Sequence, residues 1–153
     1  MITSKQGDSM ASVVSLNISR AKGVQKEQVR EVSLRVGHGI EGDAHAGDWH
    51  RQVSLLAQES IDAMIARGID LKPGDFAENI TTSGLQLPQL PLGTRLRVGE
   101  TILEITQIGK KCHRGCAIFQ QVGDCVMPRE GIFTRVIRAG TIRTGDPITI
   151  EAA

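Results

Sequence analysis

Short apolar runs broken by glycine set the terms for how this chain can fold. Segments rich in Val, Ile, Leu and Thr recur at residues 11–18, 28–36, 52–56, 94–98, 101–106, 131–137 and 147–150, with Gly, Pro and Asp recurring in the stretches between them. Strands and turns leave this pattern. Gly99-Glu100 sits between two such runs and predicts a β-hairpin. One stretch has clear helical spacing: Ile61, Met64 and Ile65 make an i, i+3, i+4 stripe within residues 57–67, with Gly68 as the stop. Residues 116–122 read as a second, short helix. Residues 76–82 read as extended, and 85–92, with two prolines, as a loop or edge strand. Residues 37–50 read as a loop dense in Gly, His and Asp. Many strands with a few small helices predict a β-rich barrel and exclude a βαβ array.

A chain of 153 residues predicts one domain with a substantial core. Its extent is expected to be 10–153, with the polar residues 1–9 as a disordered leader. The net charge of +1 gives no global attraction to nucleic acid or an anionic membrane. Aromatic residues at 3% leave little surface for stacking bases. No apolar run approaches the roughly 20 residues that span a bilayer, and the start lacks a signal peptide's apolar stretch. Three cysteines, an odd count, fit reduced thiols, so a cytoplasmic location is expected.

Four segments carry candidate chemistry. Cys112 lies in Lys110-Lys111-Cys112-His113-Arg114. A cysteine acts as nucleophile or metal ligand as the thiolate, and neighbouring positive charge favours that form. Apolar neighbours would be expected around an inert core thiol. Cys116 is as well read as a small buried hydrophobe as a functional thiol, and Cys125 reads as buried. Zinc held by Cys112, Cys116 and Cys125 is a competing reading, weakened by the missing second knuckle. The second segment, 39–50, combines Gly42, Asp43, His45, Asp48 and His50. Its glycines allow close backbone approach and exposed N–H groups, although a solvated turn has the same composition. The third is Glu78-Asn79-Ile80-Thr81, where an amide beside an acid can pair with a heterocycle's donors and acceptors; a polar strand end reads the same way. The fourth carries Arg129, Arg135 and Arg138, forked donors suited to phosphate. On a strand, 135 and 138 face opposite sides, so one at most serves a shared site.

Taken in order, Gly42-Asp43-Ala44-His45-Ala46-Gly47, Glu78-Asn79-Ile80-Thr81, Cys112 after a strand, and Gly131-Ile132-Phe133-Thr134-Arg135-Val136 resemble the MOSC domain family, as a short stand-alone member. The resemblance implies a MOSC-like β-barrel and a link to the molybdenum cofactor (molybdopterin), a pterin bearing a dithiolene and a phosphate. It implies that Cys112 is the family cysteine, either a molybdenum ligand or a persulfide-type sulfur carrier. Lys111, His113 and Arg114 would then tune that thiol, Gly42, Asp43 and His45 would wall the cofactor, Asn79 would read the pterin, and Arg135 would clamp phosphate. Expected partners are the cofactor or its biosynthetic and sulfuration proteins. If the chain is an enzyme, it is a molybdenum-dependent reductase of N-hydroxylated compounds or a sulfur transferase. A reductase would need a redox partner, since no flavin or iron–sulfur motif is present.

Overall fold

The computed structural model describes residues 11–21, 26–68, 78–109 and 131–151. Eleven strands are described: β1 (Ala11–Ile18), β2 (Glu27–Val29), β3 (Glu31–Arg35), β4 (Gly39–Ile40), β5 (Val53–Ala57), β6 (Ile80–Ser83), β7 (Arg95–Val98), β8 (Thr101–Ile108), β9 (Ile132–Arg138), β10 (Gly140–Arg143) and β11 (Pro147–Ile150). A single α-helix, α1 (Gln58–Ile65), accompanies them among the described residues. Strands run β11-β7-β8-β9-β5-β6-β1, and β11 pairs back onto β1, closing a seven-stranded barrel. Closure removes the exposed edges that an open sheet would present. β5 and β6 are parallel and the other neighbours antiparallel, so the barrel is mixed. β2 extends β1, while β10, β3 and β4 form a second small sheet. The expected β-rich barrel is the fold observed.

Alternation fills the barrel. Leu16, Leu55, Ile80, Leu96, Leu103 and Ile105 are buried together inside it, each burial contributing about 1.5–3 kcal/mol. β5 is buried on both faces, because α1 packs on the outside of β5 and β6. Ile61 and Met64 face that sheet and are buried, whereas Ile65 is 40% exposed and drops out of the predicted stripe. The helix ends where Gly68, at φ +96°, takes the left-handed turn expected of it. Val98 pairs with Thr101 across Gly99-Glu100, giving the predicted hairpin. Gly99 supplies a positive φ there.

Four sequence expectations change. The run 28–36 is two strands, because β2 pairs with β1 and β3 pairs with β10 and β4; Arg30 lies at the switch between the sheets. Residues 140–143, which no predicted run covers, form β10, stabilised by pairing with the distant β3. The proline-rich 85–92 stretch contains a 3-10 turn at Leu87–Gln89 that buries Leu87, and the loop 37–50 includes the short β4. The predicted helix at 116–122 lies outside the described residues.

Candidate functional site

Strand register brings the second and third segments of interest together. Leu55 pairs with Ile80, and Leu16 with Ile80 on the other side. One step along, Ser54 of β5, Asn79 before β6 and Asn17 of β1 therefore form a row across three strands. Asn79 is buried, and both ends of its amide are engaged. Its Oδ1 accepts from the Ser54 N–H at 2.9 Å and the Ser54 hydroxyl at 3.2 Å, and its Nδ2 donates to the Asn17 carbonyl at 3.2 Å. Asn17 Nδ2 donates to the Glu78 carbonyl at 3.2 Å and to Thr81 Oγ1 at 3.3 Å. The Thr81 hydroxyl in turn donates to Glu78 Oε2 at 2.7 Å. Such a connected buried network rigidifies the strand ends it ties together.

The Gly/His/Asp loop closes over this row. Gly42, exposed and at φ +88°, turns the chain so that Asp43 points inward. Asp43 Oδ1 accepts from the Ser19 N–H and from Lys26 Nζ, both at 2.9 Å, and Oδ2 accepts from the His45 N–H at 3.2 Å. The side chains of Asp43 and Lys26 are essentially inaccessible, at 0% and 1% exposure. Burial pushes the Asp43 carboxyl up. The Ser19 N–H, the Lys26 ammonium and, to a smaller degree, the Asn79 amide outweigh it and hold the group below the ordinary carboxylate range. Asn79 thus joins the two segments. His45 is partly exposed, its Nδ1 lying 3.4 Å from Lys26 Nζ and 3.9 Å from Asp43 Oδ2.

Further round the barrel, Gln107 of β8 organises a second group. Its Oε1 accepts from His50 Nε2 at 2.9 Å and Arg51 Nε at 3.1 Å, and its Nε2 donates to the Gly109 carbonyl at 2.8 Å. Gly109 N–H donates to the Gly131 carbonyl at 2.7 Å. The chain leaves β8 toward Cys112 at Gly109 and re-enters β9 at Gly131, so both junctions sit beside His50 and Arg51. The Arg51 guanidinium lies 5.0 Å from the Phe133 ring centre and 5.9 Å from that of Trp49. No carboxylate pairs with it among the described residues. Sequence reading passed over Arg51 and Gln107. Arg51 carried a weak signal, a cation directly after the Gly/His/Asp loop, but its aromatic supports come from β9 and from the loop itself.

Arg135 lies on the barrel exterior, bound to Glu104 Oε1 through Nε at 2.8 Å and Nη2 at 2.7 Å. Arg95 shares the same carboxylate. Arg135 also lines a cavity of about 560 Å³ with Trp49, His50 and Glu104. Arg138 is exposed as well. Lys111, Cys112, His113, Arg114, Cys116, Cys125 and Arg129 lie outside the described residues. Among the described residues no cluster of three or more His, Cys, Asp or Glu could hold a metal ion, and no helix is long and apolar enough to cross a membrane.

A family model described as the MOSC domain matches residues 42–149, well over half of the chain. Among solved structures, the YuaD protein from Bacillus subtilis is 21% identical with a TM-score of 0.77, over 94% of this chain and 97% of that one. YiiM from Geobacillus stearothermophilus is 22% identical with a TM-score of 0.73, over 93% and 75%. YiiM from Escherichia coli is 22% identical with a TM-score of 0.63, over 94% and 69%. At these identities the likeness is one of fold. No curated protein matches the chain.

Proposed function

This chain belongs to the MOSC domain family, and on that premise we propose that it is a molybdenum-cofactor-binding or sulfur-carrying module whose working group is Cys112. The family ties it to molybdenum cofactor metabolism in general; the specific role is our reading. The observation that carries it is the setting of the Cys112 segment. Both junctions of that segment are bonded to each other, and Gln107 joins them to a guanidinium that no carboxylate neutralises among the described residues.

The donor set fits a group that bears a phosphate. Arg51 offers forked donors held in place by Gln107 and the Phe133 ring. The buried acid of the adjacent loop, Asp43, is cancelled by Lys26 and does not repel an anion. When bound, the cofactor would supply the metal and its redox chemistry. The chain's own residues would bind and orient it. Cys112 would hold metal or sulfane sulfur as a soft thiolate, with Lys111, His113 and Arg114 favouring its ionised form. Gly42 and His45 would wall the guest. Asp43 and Asn79, engaged internally, would hold that wall rigid from behind. Arg135 would reach a phosphate only on loosening from Glu104, so Arg51 takes precedence. A cytoplasmic site of action and a sulfuration or biosynthetic partner go with this reading.

The test is to purify the chain and a Cys112→Ser variant from a cofactor-competent host, then measure molybdenum, pterin and protein persulfide. Wild type should carry molybdenum with pterin, or persulfide at Cys112, and the folded variant should carry none. Wild-type protein free of all three, and taking up none on reconstitution, would overturn the proposal.

A further inference from the structure

Gln52 presents a hydrogen-bond donor to a cavity on the outside of the barrel. Its residue is only 3% exposed, and its Oε1 accepts the Val136 N–H at 2.8 Å. That bond fixes the orientation of the amide, because only the oxygen can accept and the nitrogen then faces the other way. Nε2 makes no hydrogen bond among the described residues. It is not sealed from solvent either, so the little surface that Gln52 keeps includes its donor, on the wall of the cavity of about 560 Å³.

Arg135 lines the same cavity. Glu104 takes its Nε and Nη2, and Nη1 has no partner among the described residues. Arg95 also binds Glu104, at 3.3 Å. Two guanidiniums thus share one carboxylate, and one positive charge is left over. Apolar surface lies beside these donors. Val36 is 61% and Trp49 44% exposed, and both line the cavity. A mostly apolar wall with a few convergent donors, in a volume within the roughly 300–1,000 Å³ of ligand pockets, is the make-up of a small-molecule site.

We propose that this cavity binds a small organic carboxylate with an apolar body, with Gln52 Nε2 and Arg135 on the carboxylate oxygens and Trp49 and Val36 against the body. Two donors match two coplanar oxygens, and a forked guanidinium suits that plane. The one surplus positive charge balances one negative charge. A phosphate dianion would bring a second, which exposed Asp48 on the same wall repels. His50, also on the wall, has its Nε2 engaged by Gln107. The site calls on neither Arg51 nor Cys112 and does not rest on the proposed function.

Trp49 is the chain's one tryptophan, so its fluorescence reports occupancy. The experiment titrates intact, cofactor-free protein with phenylacetate, with acetate, which lacks the apolar body, and with 2-phenylethanol, which lacks the carboxylate. Phenylacetate should change the emission saturably, and the other two should bind at least about tenfold more weakly. Gln52→Glu keeps an acceptor for the Val136 N–H and turns the donor into a second acceptor. Arg135→Gln removes the charge at an exposed position. Each should weaken phenylacetate binding by roughly 10- to 100-fold, as expected when a hydrogen bond to a charged group is lost. No saturable change in wild type, 2-phenylethanol or acetate binding as tightly as phenylacetate, or an unaltered affinity in either folded variant would overturn the proposal. If Gln52→Glu does not fold, Arg135→Gln and the ligand comparison still decide. Molybdenum, pterin and persulfide play no part in these measurements, so this proposal and the proposed function fail separately.

Discussion

Asp43→Asn removes one member of a fully buried ion pair while leaving its shape. In the native protein the carboxylate receives the Ser19 N–H, the Lys26 ammonium and the His45 N–H within 2.9–3.2 Å. The asparagine must turn an NH2 toward one of these donors, and it leaves the inaccessible Lys26 charge without a counter-ion. Breaking a buried pair from one side costs about 3–5 kcal/mol, a large share of the roughly 5–15 kcal/mol that holds a domain folded. With a urea slope of about 2 kcal/mol/M, the unfolding midpoint should fall by roughly 1.5–2.5 M. The difference also depends on pH. Because the folded-state carboxyl lies below its ordinary 3.8, its stabilisation is fully present above that value and is lost as pH falls through the lower folded value. The gap between wild type and variant should therefore be constant across neutral pH and close in acid. A midpoint shift under about 0.5 M, equal to about 1 kcal/mol on that slope, would refute the burial and pairing of these groups.

Arg51→Ala should weaken binding of the phosphate-bearing guest by roughly 10- to 100-fold, from about 1.5–3 kcal/mol for bonds to a charged group, with the melting curve little changed; calorimetric titration checks it. Gly42→Ala meets open space and should cost about 1–2 kcal/mol, for its left-handed backbone alone. Gly39→Ala, at φ +116°, should cost more in the same thermal melts, because its Cβ would sit 2.8 Å from the Gln52 carbonyl oxygen. Asn79→Ala leaves the Ser54 N–H and the Asn17 carbonyl each without one of their partners, and should cost about 2–3 kcal/mol in urea unfolding, alongside faster amide exchange at Ser54.

Local chemistry was legible wherever one segment decides its own form. Gly68 ends α1, and Gly99-Glu100 turns the β7–β8 hairpin, because both depend on backbone conformations that glycine alone adopts easily. Gly42-Asp43-Ala44-His45 could be singled out as a site for the same reason. Long-range pairing was not legible. Residues 140–143 fall outside every predicted run until β3 supplies their partners, and the run 28–36 gives no hint of belonging to two sheets. Asn79 was singled out to read a ligand, yet its amide is engaged by Ser54 and Asn17, residues far from it in sequence. Arg51 went unnoticed because its value lies in what surrounds it.

The order of amino acids by itself fixed a strand-rich architecture, the loop chemistry at 42–50 and the cationic neighbourhood of Cys112, since each follows from adjacent residues and their spacing. Only the tertiary structure decided that Lys26 would neutralise Asp43, that Gln107 would tie Arg51 to the mouth of the Cys112 segment, and that Arg135 would face Glu104 outside the barrel. Those outcomes depend on barrel closure and register, which place groups dozens of residues apart within hydrogen-bond reach and take others out of it.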